Sequence, residues 1–166
     1  MSITTLNNLS ISAITALPSG VGGKVLQVVT ATDNTHRSTT STSFVTASNT
    51  LSVSITPSSA SNKIFVIVNT NISNGTGESF VYATIYKDST NLGNSTNGMA
   101  IGSGVVGITH IDHNMCISVL DSPSTTSALT YQLYFRSDVS QLGTSSINGR
   151  SGTVVKGSIT AFEIGA

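Results

Sequence analysis

The densest cluster of chemistry-bearing side chains in the sequence is His110-Ile111-Asp112-His113. Two imidazoles and a carboxylate are metal-ligand types, yet an extended strand turns His110 and Asp112 to one face and His113 to the other. Two ligands on a face fall short of the four that a structural zinc site needs. The segment therefore reads as polar decoration of a strand, and no metal is expected. His113 shares the face of Ile111, Met115 and Ile117, as an interior histidine or one lining a symmetry axis would. Cys116 falls on the face of Asp112 and Asn114, and nothing beside it marks a nucleophile. As the one cysteine of the chain it can form no intramolecular disulfide.

Other chemical motifs fail on spacing. In Gly20-Val21-Gly22-Gly23-Lys24, Pro18 stands where a phosphate loop has its first glycine and Val25 where it needs Ser or Thr. Gly102-Ser103-Gly104 lacks the strand, elbow and helix of a serine nucleophile. The seven carboxylates are scattered singly, so an acid pair could form only through folding, with Glu78, Asp112 and Asp138 as the available groups. Glycosylation triplets at Asn8, Asn71, Asn74 and Asn94 are what chance supplies where Ser and Thr are this frequent. No catalytic residue and no cofactor is assigned, and an enzyme is not expected.

Composition bounds the partners. Seven basic and seven acidic residues leave a net charge of zero, without the basic stripe that nucleic acid demands. No segment reaches the roughly 18 apolar residues of a membrane helix. The opening Met1–Leu17 segment lacks the basic start and continuous apolar centre of a signal peptide, so assembly in a cytoplasm is expected. Ser, Thr and Asn make up roughly two-fifths of the chain. Positive mean hydropathy (+0.21) and clustered apolar runs nevertheless argue for folding rather than disorder.

The elements that must carry these residues are strands. Short runs rich in Val, Ile, Thr, Tyr and Phe recur near 24–32, 37–45, 50–56, 63–72, 79–87, 105–120 (broken near Thr109), 129–137 and 153–164. Gly, Ser, Asn, Asp and Pro punctuate them, as in Thr56-Pro57-Ser58 and Ser122-Pro123-Ser124. The expectation is all-β: a single antiparallel β-sandwich of jelly-roll type over residues 23–166, preceded by an arm over 1–22. In the arm, Ile3, Leu6, Leu9, Ile11, Ile14 and Leu17 recur close to every third residue, and Pro18 with the glycines makes a hinge. Its Thr, Asn, Ser and β-branched content disfavours a helix, so an extended arm docked on a partner is the preferred reading.

Two stretches pose a question of packing. Leu51–Ile55 alternates apolar and polar, whereas Ile64–Val68 is apolar without a break. In 79–86, Phe80, Tyr82 and Tyr86 point one way and Val81, Ala83 and Ile85 the other. A strand apolar on both faces needs two covers. One is the facing sheet; with no helix on offer, the other is expected to be a second copy of the chain. Val66, Val68, Val81, Ile85 and Tyr134 are the expected oligomer contacts.

The phrases Gly23–Thr32, Ser38–Val45, Leu51–Asn69 and Gly157–Ile164 together resemble a module of virion proteins of tailed bacteriophages, notably marine and cyanobacterial ones. That module is similar to the trimeric jelly rolls of the tumour-necrosis-factor and complement C1q type. The resemblance implies a homotrimer exposed on a virion, partnered by other virion proteins of tail or capsid. A tail-fibre role in host attachment is expected, with Asn74–Glu78, Thr90–Asn97 and Ser140–Gly149 as loops that could meet a host surface glycan. The other reading is a capsid decoration protein with the arm lying across the major capsid protein, which the short length from Met1 favours.

Overall fold

The computed structural model describes residues 24–75, 79–105, 108, 110–138 and 145–166, and the arm with Ile3, Leu6, Leu9, Ile11, Ile14 and Leu17 lies outside them. The chain folds as β1 (Val25–Asp33), β2 (Arg37–Thr39), β3 (Ser52–Ile55), β4 (Lys63–Asn74), β5 (Phe80–Lys87), β6 (Thr90–Asn91) and β7 (Ala100–Ser103). Then come β8 (Ile111–Asp121), β9 (Leu129–Ser137), β10 (Ser145–Ile147), β11 (Gly149–Arg150), β12 (Thr153–Val154) and β13 (Gly157–Ile164). No helix occurs among the described residues.

All the pairings are antiparallel, and the long strands sort into two sheets. The larger runs β1-β13-β4, with β8 on the far side of β4 and the short β10 and β2 continuing beside its C-terminal end. The smaller runs β3-β9-β5, with β6 and β7 both paired to β5. Each sheet draws strands from both halves of the chain, so the backbone crosses repeatedly between layers. The two ends of the body meet: Val25 pairs with Ile164, and the Gly165 N–H bonds to the Lys24 carbonyl at 2.8 Å.

Alternation decides what lies between the sheets. Ile64, Val66, Val68 and Ile72 of β4, Met115 and Ile117 of β8, and Ile159 and Ala161 of β13 face inward. They meet Leu51, Val53 and Ile55 from in and before β3, Val81, Ala83 and Ile85 from β5, and Leu129, Tyr131, Leu133 and Phe135 from β9. This overturns four of the five expected oligomer contacts. Val66, Val68, Val81 and Ile85 are fully buried within one protomer, because their strands turn these residues to the opposing sheet. The two-sided pattern itself is real, but the side chains left for a second cover are Phe65 and Ile67 on β4 and Phe80, Tyr82 and Tyr86 on β5. Tyr134 does lie on an outer face, half-buried.

Two buried carboxylates pin the loops to this frame. Glu163, on β13, takes the inward alternation of Ile159 and Ala161 and would be an isolated charge in the interior. Instead it accepts from Ser58 N–H (2.6 Å), Ser58 Oγ (2.8 Å), Asn62 Nδ2 (2.6 Å) and Gln27 Nε2 (2.6 Å). Burial alone would raise its pKa, but these bonds outweigh burial and hold the carboxyl down at about 2. Asp33, at the end of β1, accepts from the N–H groups of Thr35 and Thr50 and from Arg37. Here too burial works upward and the hydrogen bonds win, lowering the pKa.

Candidate functional site

The residues first considered for chemistry do not assemble. His110 and Asp112 are exposed, and Asp112 lies 3.9 Å from Arg150, itself exposed. His113 is half-buried on the inward alternation, and its Nε2 donates to the Ser103 carbonyl at 3.0 Å. No group of three metal-ligating side chains occurs among the described residues. Cys116 is exposed on the outer face beside Asn69. Of the expected contact loops, Asn74–Glu78 is described only to Gly75. Ser140–Gly149 proves not to be an exposed loop in its described part. Ser145, Ser146 and Ile147 form buried β10 between β4 and β2.

Thr90–Asn97 leads to a cleft. Outward-facing residues of the smaller sheet form an aromatic surface: Phe80 and Tyr82 lie 6.2 Å apart, and Tyr86 stacks on Tyr134 at 4.0 Å between ring centroids. Phe44, from the segment before β3, reaches across to Tyr86 at 6.4 Å. Beside these rings lies a groove of about 440 Å³ lined by Thr42, Ser43, Phe44, Tyr86, Ser95, Thr96 and Arg136. That volume is within the range of roughly 300–1,000 Å³ typical of small-ligand clefts. Burial raises the Tyr86 phenol above its ordinary value, and the neighbouring Tyr134 adds to the rise, so its hydroxyl stays neutral.

Both walls are fixed to the sheet. The first, residues 41–45, pairs with β9 through reciprocal Val45–Phe135 backbone bonds of 3.0 Å and through Ser137 N–H to the Ser41 carbonyl at 2.8 Å. The second, 94–98, is closed on itself by Asn94 N–H to Gly98 O (3.1 Å) and Gly98 N–H to Asn94 O (2.9 Å). Asn94 Oδ1 also accepts from the N–H groups of Thr96 and Asn97, each at 2.9 Å. Gly98 has φ +66°, and a Cβ there would sit 2.4 Å from the Ala83 carbonyl oxygen, so only glycine lets this loop lie against β5.

Arg136 of β9 joins the two walls. Its Nε and Nη2 donate to the Thr96 carbonyl (3.1 and 2.6 Å), and Nη1 donates to the carbonyls of Thr42 (3.5 Å) and Ser137 (2.9 Å). The guanidinium lies over Tyr82 at 4.0 Å and beside Phe44 at 5.5 Å. It is 7% exposed. Sequence reading missed Arg136 and Phe44. The available signal was Arg136 at the outward alternation of β9, two residues beyond Tyr134 and opposite Tyr82.

The larger sheet has a different outer face. Val28, Phe162, Phe65 and Leu120 are register partners on β1, β13, β4 and β8, making one apolar row across four strands. Phe65 and Phe162 lie 6.2 Å apart, while Val28 and Leu120 are each 54% exposed. Toward the other end of the sheet the rows turn polar: Thr32, Ser158, Asn69 and Cys116 are register partners.

No family model and no curated protein sequence matches the chain. Among solved structures it is similar to a chain of the structure of infectious bursal disease virus, Gt strain, at 14% identity and a TM-score of 0.37. The match covers 86% of this chain and 39% of that one, so this chain spans well under half the length of its neighbour. A likeness that slight carries no functional weight.

Proposed function

We propose that the protein is a non-enzymatic structural component of a tailed-phage virion, a surface-projecting oligomer held by its N-terminal segment and serving in host attachment. The observation that carries this reading is the unequal dressing of the two outer faces. An apolar row crosses the larger sheet, and an aromatic groove with hydroxyl-bearing walls marks the smaller. The first is a surface for assembly and the second a surface for contact, and they point in opposite directions.

The strand orders β1-β13-β4-β8 and β3-β9-β5-β7 support a jelly roll, and the trimer follows from the resemblance of the sequence phrases to trimeric jelly rolls. Copies associate through the Val28–Phe162–Phe65–Leu120 row, which supplies the second cover that the apolar runs require. Apolar Ile3, Leu6, Leu9, Ile11, Ile14 and Leu17 enter the body at β1, whose Val25, Leu26 and Val28 are exposed at the sheet edge, and they attach it to other virion proteins. The low-charge Ser/Thr/Asn surface stays soluble with little dependence on salt.

Gold-labelled antibody on intact particles tests the reading. Label at the tail or fibre tips is the expected outcome, whereas label spread over the head would make this a capsid decoration protein. Particles without label would overturn a virion role altogether.

A further inference from the structure

Building on the attachment reading, we infer that the groove between residues 42–44 and 95–96 binds one sugar ring of a host surface polysaccharide, and that the ring is an acidic one of the uronic-acid class. The flat aromatic components are Phe44 and Tyr86, which line the groove. A pyranose presents an apolar face of C–H groups that packs on an aromatic ring, and its edge carries hydroxyls that both donate and accept. The groove offers matching chemistry at its rim: the side-chain hydroxyls of Thr42, Ser43, Ser95 and Thr96, together with the neutral phenol of Tyr86.

Arg136 supplies the preference for charge. Its positive charge is nearly buried, held by the carbonyl groups of Thr42, Thr96 and Ser137 and by the faces of Tyr82 and Phe44. A carboxylate entering the groove would meet the guanidinium with opposite charge. A neutral sugar would make the stacking contact without it. The walls are closed by their own backbone bonds before any ligand arrives, so little ordering is required on binding. Nucleic acid would bring negative charge in quantity, and the zero net charge of the chain gives it no extended basic surface to follow.

Isothermal titration of the full chain with short uronic-acid oligosaccharides (galacturonate, mannuronate and glucuronate series) and their neutral counterparts tests the inference. At least one acidic series should bind about tenfold more tightly than its neutral counterpart, and that margin should shrink as salt rises. Tyr86→Ala and Phe44→Ala should each weaken binding about tenfold while leaving the thermal transition cooperative. Arg136→Gln should abolish the acidic preference. Because Arg136 also ties the walls together, the salt dependence of the unaltered protein stands in for that variant if it fails to fold.

Absence of binding to every series at millimolar concentration would overturn the inference. So would equal affinity for acidic and neutral rings, or binding untouched by Tyr86→Ala. Gold label on virions without saccharide binding would remove the groove assignment and leave the structural role standing. Binding without label would do the reverse.

Discussion

Glu163 shows how much a single residue can reveal about a β-sandwich. It occupies an inward position on β13, two residues beyond Ala161, yet it carries charge into a core built from few other ionisable groups. Its folded pKa is about 2 against an ordinary 4.5, so the folded state binds this proton more weakly than the unfolded chain. The resulting stabilisation is complete above pH 4.5 and is lost as the pH falls from there toward 2. It amounts to on the order of 3 kcal/mol. Thermal unfolding followed by circular dichroism should show a steep fall in midpoint across that window. In Glu163→Gln the midpoint at neutral pH should already be lower and its decline with acid shallower. The position was legible: alternation through Gly157–Ile164 turns Glu163 inward, and an inward carboxylate must find donors. Its partners were not, since Gln27, Ser58 and Asn62 are distant in sequence and meet only when β1, the 56–62 loop and β13 are assembled.

At the scale of elements, strands with unbroken β-branched and aromatic runs announced themselves. The run at 129–137 is β9 to the residue, and those at 24–32, 63–72 and 79–87 differ from β1, β4 and β5 by a residue or two at their ends. Short elements did not. Ser145–Ile147 reads as a polar loop because two of its three residues are serines, yet pairing on both sides makes it an interior strand. The expected strand over 105–120 is matched by β8 from Ile111, whereas β7 at Ala100–Ser103 went unread because Gly102 and Gly104 interrupt its short run. The loop at 94–98 depends on Gly98, whose φ and contact with the Ala83 carbonyl exclude a side chain. Gly98→Ala should therefore lower the free energy of unfolding by about 1–3 kcal/mol, seen as a shift of the urea midpoint. Ligand affinity at the groove should fall with it, because Ser95 and Thr96 ride on that loop.

For the whole molecule, the two outer faces make separable predictions. Phe65→Ser combined with Phe162→Ser removes the centre of the apolar row without touching the core, and should lower the native mass to that of a protomer with the circular dichroism spectrum retained. Val66→Asp, one residue away and facing inward, should instead abolish folding, because a charge at a fully buried position has no partner there. An unchanged mass in the double variant would remove the larger sheet as the oligomer surface. Sequence pattern made the existence of two apolar faces visible on β4 and β5. Which face was inward depended on the pairing of β4 with β13 and β8, and of β5 with β9, a long-range choice that the local pattern leaves open.

The meeting of the body's two ends has its own consequence. Because Val25 lies opposite Ile164 and Lys24 bonds to Gly165, the fold is a closed cassette with entry and exit side by side. Such a cassette can be spliced into a surface turn of an unrelated protein without prising apart host or guest. In a chain built from successive modules, the same arrangement lets each copy hang from the thread as a bead rather than interrupt it.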